Sequence, residues 1–492
     1  MRTIVSRPTA TILLVAAAVW AGATPAAAQG GTLAFAASPP DVRSPGPPGH
    51  TAQATPTAQA SPAAPAPPAS QAAQAGALRL TLPDVLERAL AASHRIGEFE
   101  ARQDAAKASV DARAANDMPT ITALGGYART NHVQEFAIQG APGTAPRVIY
   151  PDVPDNWRAR LDVQWPIYTF GRFEGLDRAA RAEADAAGKD VATAKADTRL
   201  DATRAFWALV TATESVRVVE DAMTLVDAHL RDVRNMFASG LVAPNDVLSV
   251  EAQRSREQVL LIEARNNRNV AEADLRRLIG AGPEVSITLD AALEGPAGDV
   301  PAYDALLAEA RAQRTDRQAL VARIGGIGDR RSAVAAGLKP TLAVVGGVDY
   351  ARPNPRIFPR SPDWQESWDV GFNVAWPLWD GGKVKADVAE ISANQRAAQE
   401  RLADLDAYLA FEVKQRRLDL EAAQAAIVAA ADGVRAASEA RRVVGERFKA
   451  GLVPNTEVLD AQQALLFAEF ERTRTLAAAR LAQARLDRAV GR

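Results

Sequence analysis

The residues able to do catalytic or metal chemistry are few and scattered. The 492-residue chain has no cysteine and four histidines, His50, His94, His132 and His229. No two of them stand at a spacing by which imidazoles share a metal ion. Without a thiol there is no cysteine nucleophile, no disulfide and no lipid anchor on an N-terminal cysteine. His229 falls in a long helical pattern, where it reads as a packed or solvated residue rather than a ligand. Glu457 and Asp460 are anions that suit the first turn of a helix through its dipole. A net charge of −2 argues against a nucleic-acid binder that works by neutralising phosphates. Nothing here points to an enzyme or to a cofactor.

The element that would carry these residues is a pair of long stretches, Gly171 to Gly240 and Gly382 to Gly451. Neither contains a proline, in a chain that has 30. Both are rich in Ala, Leu, Val, Arg and Glu, and each reads as one helix of about 69 residues, a rod of roughly 104 Å. A helix that long needs more than an ordinary compact core to hold it.

The two rods belong to an internal repeat. Trp165-Pro166-Ile167-Tyr168-Thr169-Phe170-Gly171-Arg172 matches Trp376-Pro377-Leu378-Trp379-Asp380-Gly381-Gly382-Lys383, and Phe237-Ala238-Ser239-Gly240-Leu241-Val242 matches Phe448-Lys449-Ala450-Gly451-Leu452-Val453. Both pairs are offset by roughly 211 residues, so the rods have equal length. Upstream, Pro119-Thr120 with Gly125-Gly126 matches Pro340-Thr341 with Gly346-Gly347 at an offset of about 221, which places a loop about ten residues longer in the first copy. The repeat implies one intertwined domain with halves at 77–300 and 301–492.

The first 28 residues read as a signal peptide: Arg2 and Arg7, an apolar run from Ile12 to Trp20, then Ala26-Ala27-Ala28 before Gln29. That run is too short to span a bilayer. Residues 29–76 are dominated by Pro, Ala, Gln, Ser and Thr and read as a disordered leader. Order is expected from Thr81, which can cap a helix with Asp84 reaching back. This helix is expected to run from Leu82 to about Asn116, and its counterpart from Ala302 to Leu338.

Each leading helix is followed by strand candidates. Trp157, Ala159, Leu161, Val163 and Trp165 alternate with Arg158, Arg160, Asp162 and Gln164. In the second copy Trp368, Val370, Phe372, Val374 and Trp376 alternate with Asp369, Gly371, Asn373 and Ala375. About ten residues suit a tilted strand across a bilayer, and Trp at both ends suits interfacial aromatic girdles. Partner strands are expected near Thr120 to Tyr127 and Thr341 to Tyr350. A strand of a soluble sandwich is the alternative. After each rod, a glycine able to take a left-handed conformation closes the helix. Returning helices then run over Pro244 to Ile279 and Asn455 to Val490, about 36 residues or roughly 54 Å. A leading helix stacked end to end on a returning helix is about as long as one rod, which implies parallel rods beside stacked half-rods, with Gly280 to Pro301 outside the joint.

Four strands cannot close a membrane barrel alone, and open edges are not tolerated in lipid. Closure calls for several copies, and three chains supply twelve strands and a hollow helical tube. The expected fold is therefore mainly α: long antiparallel hairpins forming an α-helical tunnel, with a twelve-stranded trimeric β-barrel part. The repeats, the Trp-Pro-x-x-x-x-Gly junctions and the doubled Gly-Leu-Val turns followed by Val247-Leu248 and Val458-Leu459 resemble the TolC-type outer-membrane efflux channels, from Leu80 to Arg492. The resemblance implies a homotrimer in outer-membrane lipid whose periplasmic tunnel docks on a periplasmic adaptor, itself linked to an inner-membrane pump.

By position in that family, Glu457 and Asp460 would face the lumen at the tunnel tip, where three copies make a ring of about six carboxylates that attracts cations. The first copy has Asp246 and Ser249 at the matching positions, so Asp246 is the third candidate for the lumen constriction and the acidic pair is complete only in the second copy. Gly240, Leu241, Val242, Gly451, Leu452 and Val453 would form the docking tip. The chain departs from the family at the gate: Phe448 and Phe237 stand where a tyrosine is usual, and Val453 where an arginine is usual, so apolar packing is expected to close the tip. Transported substrate and adaptor identity are not readable. A soluble periplasmic coiled-coil scaffold or adaptor is the competing reading.

Overall fold

The structure, a computed structural model, describes residues 78–296 and 298–492. The expected signal peptide and leader lie outside the described residues. The described chain divides into two units, one made of strand segments and loops within 124–160 and 348–367, the other of all the helices and the remaining strand segments.

The helical unit is built on α3 (Arg172–Ala238) and α7 (Lys383–Lys449), each of 67 residues. Their proline-free, alanine-rich sequence carries few obstacles to continuous helix. Gly175 lies where α3 meets the next repeat, and a Cβ there would come within 2.9 Å of the Ala333 methyl. Both rods end in the same way. Gly240 (φ +74°) and Gly451 (φ +73°) adopt the left-handed conformation. The amides of Leu241 and Leu452 reach back to the carbonyls of Met236 and Arg447, each at 2.9 Å, completing a Schellman closure. The returning helices are α4 (Pro244–Leu278) and α8 (Asn455–Val490).

The leading helices differ from the sequence expectation. Each is broken: α1 (Leu82–Ala92) and α2 (His94–Ala114) part at Ser93, and α5 (Tyr303–Gln313) and α6 (Thr315–Ala335) part at Arg314. Neither break has a proline or glycine to announce it. Ser93 accepts the amide of Ile96 and so starts α2 afresh. Arg314 is held by tertiary contacts, its buried guanidinium reaching Asp316 (2.7 Å), Glu412 (2.8 Å) and the Ala489 carbonyl (3.2 Å). Burial opposes that charge, but the two carboxylates hold the guanidinium firmly protonated. Thr81 and Asp84 cap α1 as expected, with Thr81 N and Oγ1 both donating to Asp84 at 2.8 and 2.6 Å.

Half-rods do lie beside the full rods, with ion pairs along the seams. On α3, the upper part meets α2 (Arg95–Asp197, 2.7 Å; Lys195–Glu100, 3.0 Å), and the lower part meets α4 (Arg265–Glu220, 2.7 Å; Arg234–Glu251, 2.6 Å). At the joint α1 turns aside and buries Val85 and Ala89 against Phe206, Leu209, Val210 and Leu275. A short parallel pair of strands, β1 (Leu78–Leu80) and β6 (Ile287–Leu289), closes this cluster with Leu78 opposite Ile287. In the second repeat α5 fills the matching place, with Leu306 and Ala310 against Val413, Leu420 and Leu486. Packing gives the helices a definite order: α2–α3–α6–α7 above the joint and α4–α3–α8–α7 below it. The outer members are α2 and α4 on one side and α7 on the other.

Four strands form one sheet in the order β2 (Thr120–Arg129), β5 (Asp155–Tyr168), β7 (Thr341–Arg352), β8 (Gln365–Ala375). Equivalent hydroxyl bonds tie the base of each pair: Thr120 to the Gln164 carbonyl (3.2 Å) and Thr341 to that of Ala375 (3.3 Å). The longer loop of the first copy carries a small antiparallel hairpin, β3 (Phe136–Ile138) and β4 (Arg147–Tyr150), with Ala137 opposite Val148. Within the strand unit, Arg360 of the second loop donates its amide to Ile149 (3.2 Å) and its guanidinium to the Tyr150 hydroxyl (2.7 Å).

Candidate functional site

On β8 and toward the two ends of β5, apolar residues face outward. On β8 and just beyond it, Trp368, Val370, Phe372, Val374 and Trp376 are 70, 69, 77, 64 and 61 % exposed, while Ser367, Asp369 and Gly371 between them are partly buried. On β5, Trp157, Ala159 and Trp165 are exposed, while Arg158 is half-buried and Arg160 buried; the expected alternation does not continue through the middle, where Leu161, Asp162 and Val163 are all partly buried and Gln164 is exposed. A sheet that folds onto its own core does the reverse. The two lower tryptophans are anchored alike. Trp165 Nε1 donates to the Asp117 carbonyl at 3.0 Å and Trp376 Nε1 to that of Leu338 at 3.1 Å, in each case the last turn before a strand begins. An indole with an apolar body exposed and its N–H satisfied suits a membrane interface. The four girdle tryptophans expected from sequence are thus all exposed.

At the other end of the rods, the two turns expose Leu241 and Leu452, while Val242 and Val453 pack inward on a cluster of Val226, Leu230, Val233, Val250, Phe448 and Val458. Phe448, which replaces the usual tyrosine, is buried in that cluster. Phe237 stays exposed. Within the chain the tip is thus held by apolar packing.

One polar contact crosses this cluster, and the sequence did not reveal it. His229 of α3 is buried, and its Nε2 lies 2.7 Å from Oδ1 of Asn455, the first residue of α8. Asn455 Nδ2 donates in turn to the Asp246 carbonyl at 3.2 Å, so three helices meet at one amide. The imidazole also sits edge-on to Phe448, ring centres 5.3 Å apart. Burial lowers the His229 pKa below its ordinary value, outweighing the Asn455 bond and nearby Asp232. The neutral ring then donates Nε2–H to Asn455. Here a buried hydrogen bond between the hairpins replaces the metal or solvent role open to a histidine.

Of the three acidic candidates, Glu457 and Asp460 are exposed on one face of α8, and among the described residues neither has an ion-pair partner. Asp246 does something else. Its carboxylate accepts the Ala243 amide at 3.2 Å and caps its own helix. No group of three or more potential metal ligands occurs among the described residues, and no described helix is long and apolar enough to cross a membrane.

Comparison with known proteins agrees with this arrangement. The family described as outer membrane efflux protein matches twice, over residues 85–281 and 306–492, once per repeat. The chain is similar to the outer membrane efflux protein BepC of Brucella suis biovar 1, with 25% identity over 256 residues, covering 50% of this chain and 53% of BepC. The chain thus spans about half the length of that curated relative. Among solved structures, it resembles the outer-membrane protein VceC of Vibrio cholerae, with TM-score 0.68, 19% identity and coverage of 83% of this chain and 96% of VceC. It also resembles the open-state MtrE outer membrane channel of Neisseria gonorrhoeae, with TM-score 0.67, 18% identity and coverage of 83% and 88%. Identities this low speak for the fold alone. With both repeats matched, the chain belongs to the outer membrane efflux protein family.

Proposed function

We propose that this chain is a passive exit duct of the outer membrane, working as a homotrimer that conducts substrates from an inner-membrane pump and a periplasmic adaptor to the outside, in efflux or type I secretion. The observation that carries the reading is the outward apolar face of β8, with the exposed Trp157 and Trp165 of β5, on a four-stranded sheet whose outer strands β2 and β8 are open. In lipid such edges must be paired, and a second copy offers the complementary edge. The helices support the same closure. On α4, Leu248, Val259, Ile262 and Val270 are exposed and recur near multiples of a helical turn. On α7, Tyr408, Phe411 and Leu418 form another exposed apolar face. Two different faces on opposite sides of the wall suit head-to-tail contact, which closes a ring of identical chains. A soluble periplasmic scaffold would gain nothing from the outward tryptophans.

In this reading Glu457 and Asp460 face the lumen near the tip, Leu241 and Leu452 receive the adaptor, and Trp157, Trp165, Trp368 and Trp376 mark the lipid interfaces. The test is membrane fractionation of the mature chain, followed by an unheated gel. A trimer-sized band from the outer membrane is expected. A soluble periplasmic monomer or dimer would overturn the reading.

A further inference from the structure

Below the strands, α2, α3, α6 and α7 line a cleft of about 810 Å³. Its floor is apolar, made by Leu176 and Ala179 of α3, Ile327 and Val334 of α6, and Val384 of α7. Its charges are not balanced. Both lining acids are already engaged, Glu183 by Arg323 at 3.2 Å and Asp387 by Lys383. Arg113, Arg172 and Arg330 also line it, and among the described residues none of the three has an ion-pair partner or a side-chain hydrogen bond. Arg172 is moreover the first residue of α3, where a cation works against the helix dipole. On another face of the same helix pair charge is matched in the ordinary way, by Arg178 and Asp329 at 2.7 Å. The cleft side of this helix pair therefore gathers three unmatched guanidiniums beside an apolar floor, in a chain whose net charge is slightly negative.

We propose that this cleft binds an amphiphilic anion, a single phosphate or carboxylate head on an alkyl or aryl body. The three guanidiniums supply bidentate donors for the head, and the apolar floor takes the body. The volume suits a ligand of that size. An inorganic anion would leave the floor unused, and a neutral amphiphile would leave the guanidiniums unmatched. The cleft stands independently of the duct reading, which enters only in naming the two suppliers of such a molecule: a phospholipid of the surrounding bilayer, or a soluble anion in transit.

The experiment uses the full chain purified in a neutral detergent. Octyl phosphate is expected to bind saturably, one per chain, and more weakly as salt is raised. The R113Q/R172Q/R330Q variant, altered only at exposed positions, is expected to weaken binding by about tenfold or more from three guanidinium contacts. Equal binding by the variant, or equal binding of octyltrimethylammonium, would overturn the proposal. Native mass spectrometry of the extracted protein distinguishes the suppliers. A phospholipid retained by the wild type and lost from the variant assigns the site to lipid, while octyl phosphate binding without retained lipid assigns it to soluble anions. Neither signal would refute the site. Octyl phosphate binding by a chain that forms no conducting channel would refute the duct alone.

Discussion

Replacing His229 with phenylalanine tests whether the tip is held by the contact between the two hairpins. The ring stays aromatic and can keep its edge contact with Phe448, but Oδ1 of the buried Asn455 loses its 2.7 Å donor. An amide oxygen left buried without a donor costs about 1–3 kcal/mol. The larger apolar ring recovers part of this in a cluster already made of valine, leucine and phenylalanine, so a net loss of about 1–2 kcal/mol is expected. Replacing both partners, H229F with N455L, should cost less than the sum of the two single changes, because no orphaned donor or acceptor remains between them. The pH dependence gives an independent readout. Burial holds the native His229 pKa below its unfolded value of about 6.5. The neutral contact is therefore fully present above that pH, and its contribution is lost as pH falls from there through the depressed native pKa. The difference in thermal midpoint between wild type and H229F, measured in detergent from about pH 5 to 8, should shrink toward acid. An unchanged midpoint, or a difference independent of pH, would refute the view that this contact ties α3 to α8.

Neutralising the exposed pair, E457Q with D460N, should lower cation preference in planar-bilayer recordings, and an unchanged reversal potential would remove both from the lumen. Gly451→Val leaves steric room, since nothing lies within 4 Å of a new Cβ, but forces a β-branched residue to φ +73° at a cost of about 1–2 kcal/mol. Trimers should still form while export falls, and normal export would sink the docking role of the tip. Glu257 is buried on α4, with Oε1 accepting from Gln253 at 2.9 Å and burial raising its pKa. The native chain therefore loses stability as pH rises from the ordinary glutamate value of about 4.3 through that raised value. Glu257→Gln should remove this loss, giving a stabilisation over wild type that grows with pH in thermal melts. A difference constant with pH would count against a buried neutral acid.

Much of this fold was legible because it is written in patterns of fixed period. A proline-free stretch between two glycines can be little other than a helix, and equal offsets between two copies fix equal rods. The ten-residue alternation bounded by tryptophans marked β5 and β8 as strands and the outward apolar face of β8, but not the partly buried Leu161 and Val163 of β5. The breaks at Ser93 and Arg314 were not readable. No proline or glycine stands at either break, and what marks the break is a cap in one case and a buried guanidinium held by Asp316, Glu412 and a distant carbonyl in the other.

The sites divide along the same line. Composition and spacing by themselves excluded thiol chemistry and metal clusters built on cysteine and located the two turns, because each of these depends on residues close together in sequence, whereas Glu457 with Asp460 came from the family resemblance. Pairings across more than a hundred residues came only with the tertiary structure. His229 meets Asn455 because two hairpins pack side by side, and Arg113, Arg172 and Arg330 share one cleft because three helices converge there. Local periodicity decides what each segment becomes, whereas the packing of segments far apart in the chain decides which charges are left without partners.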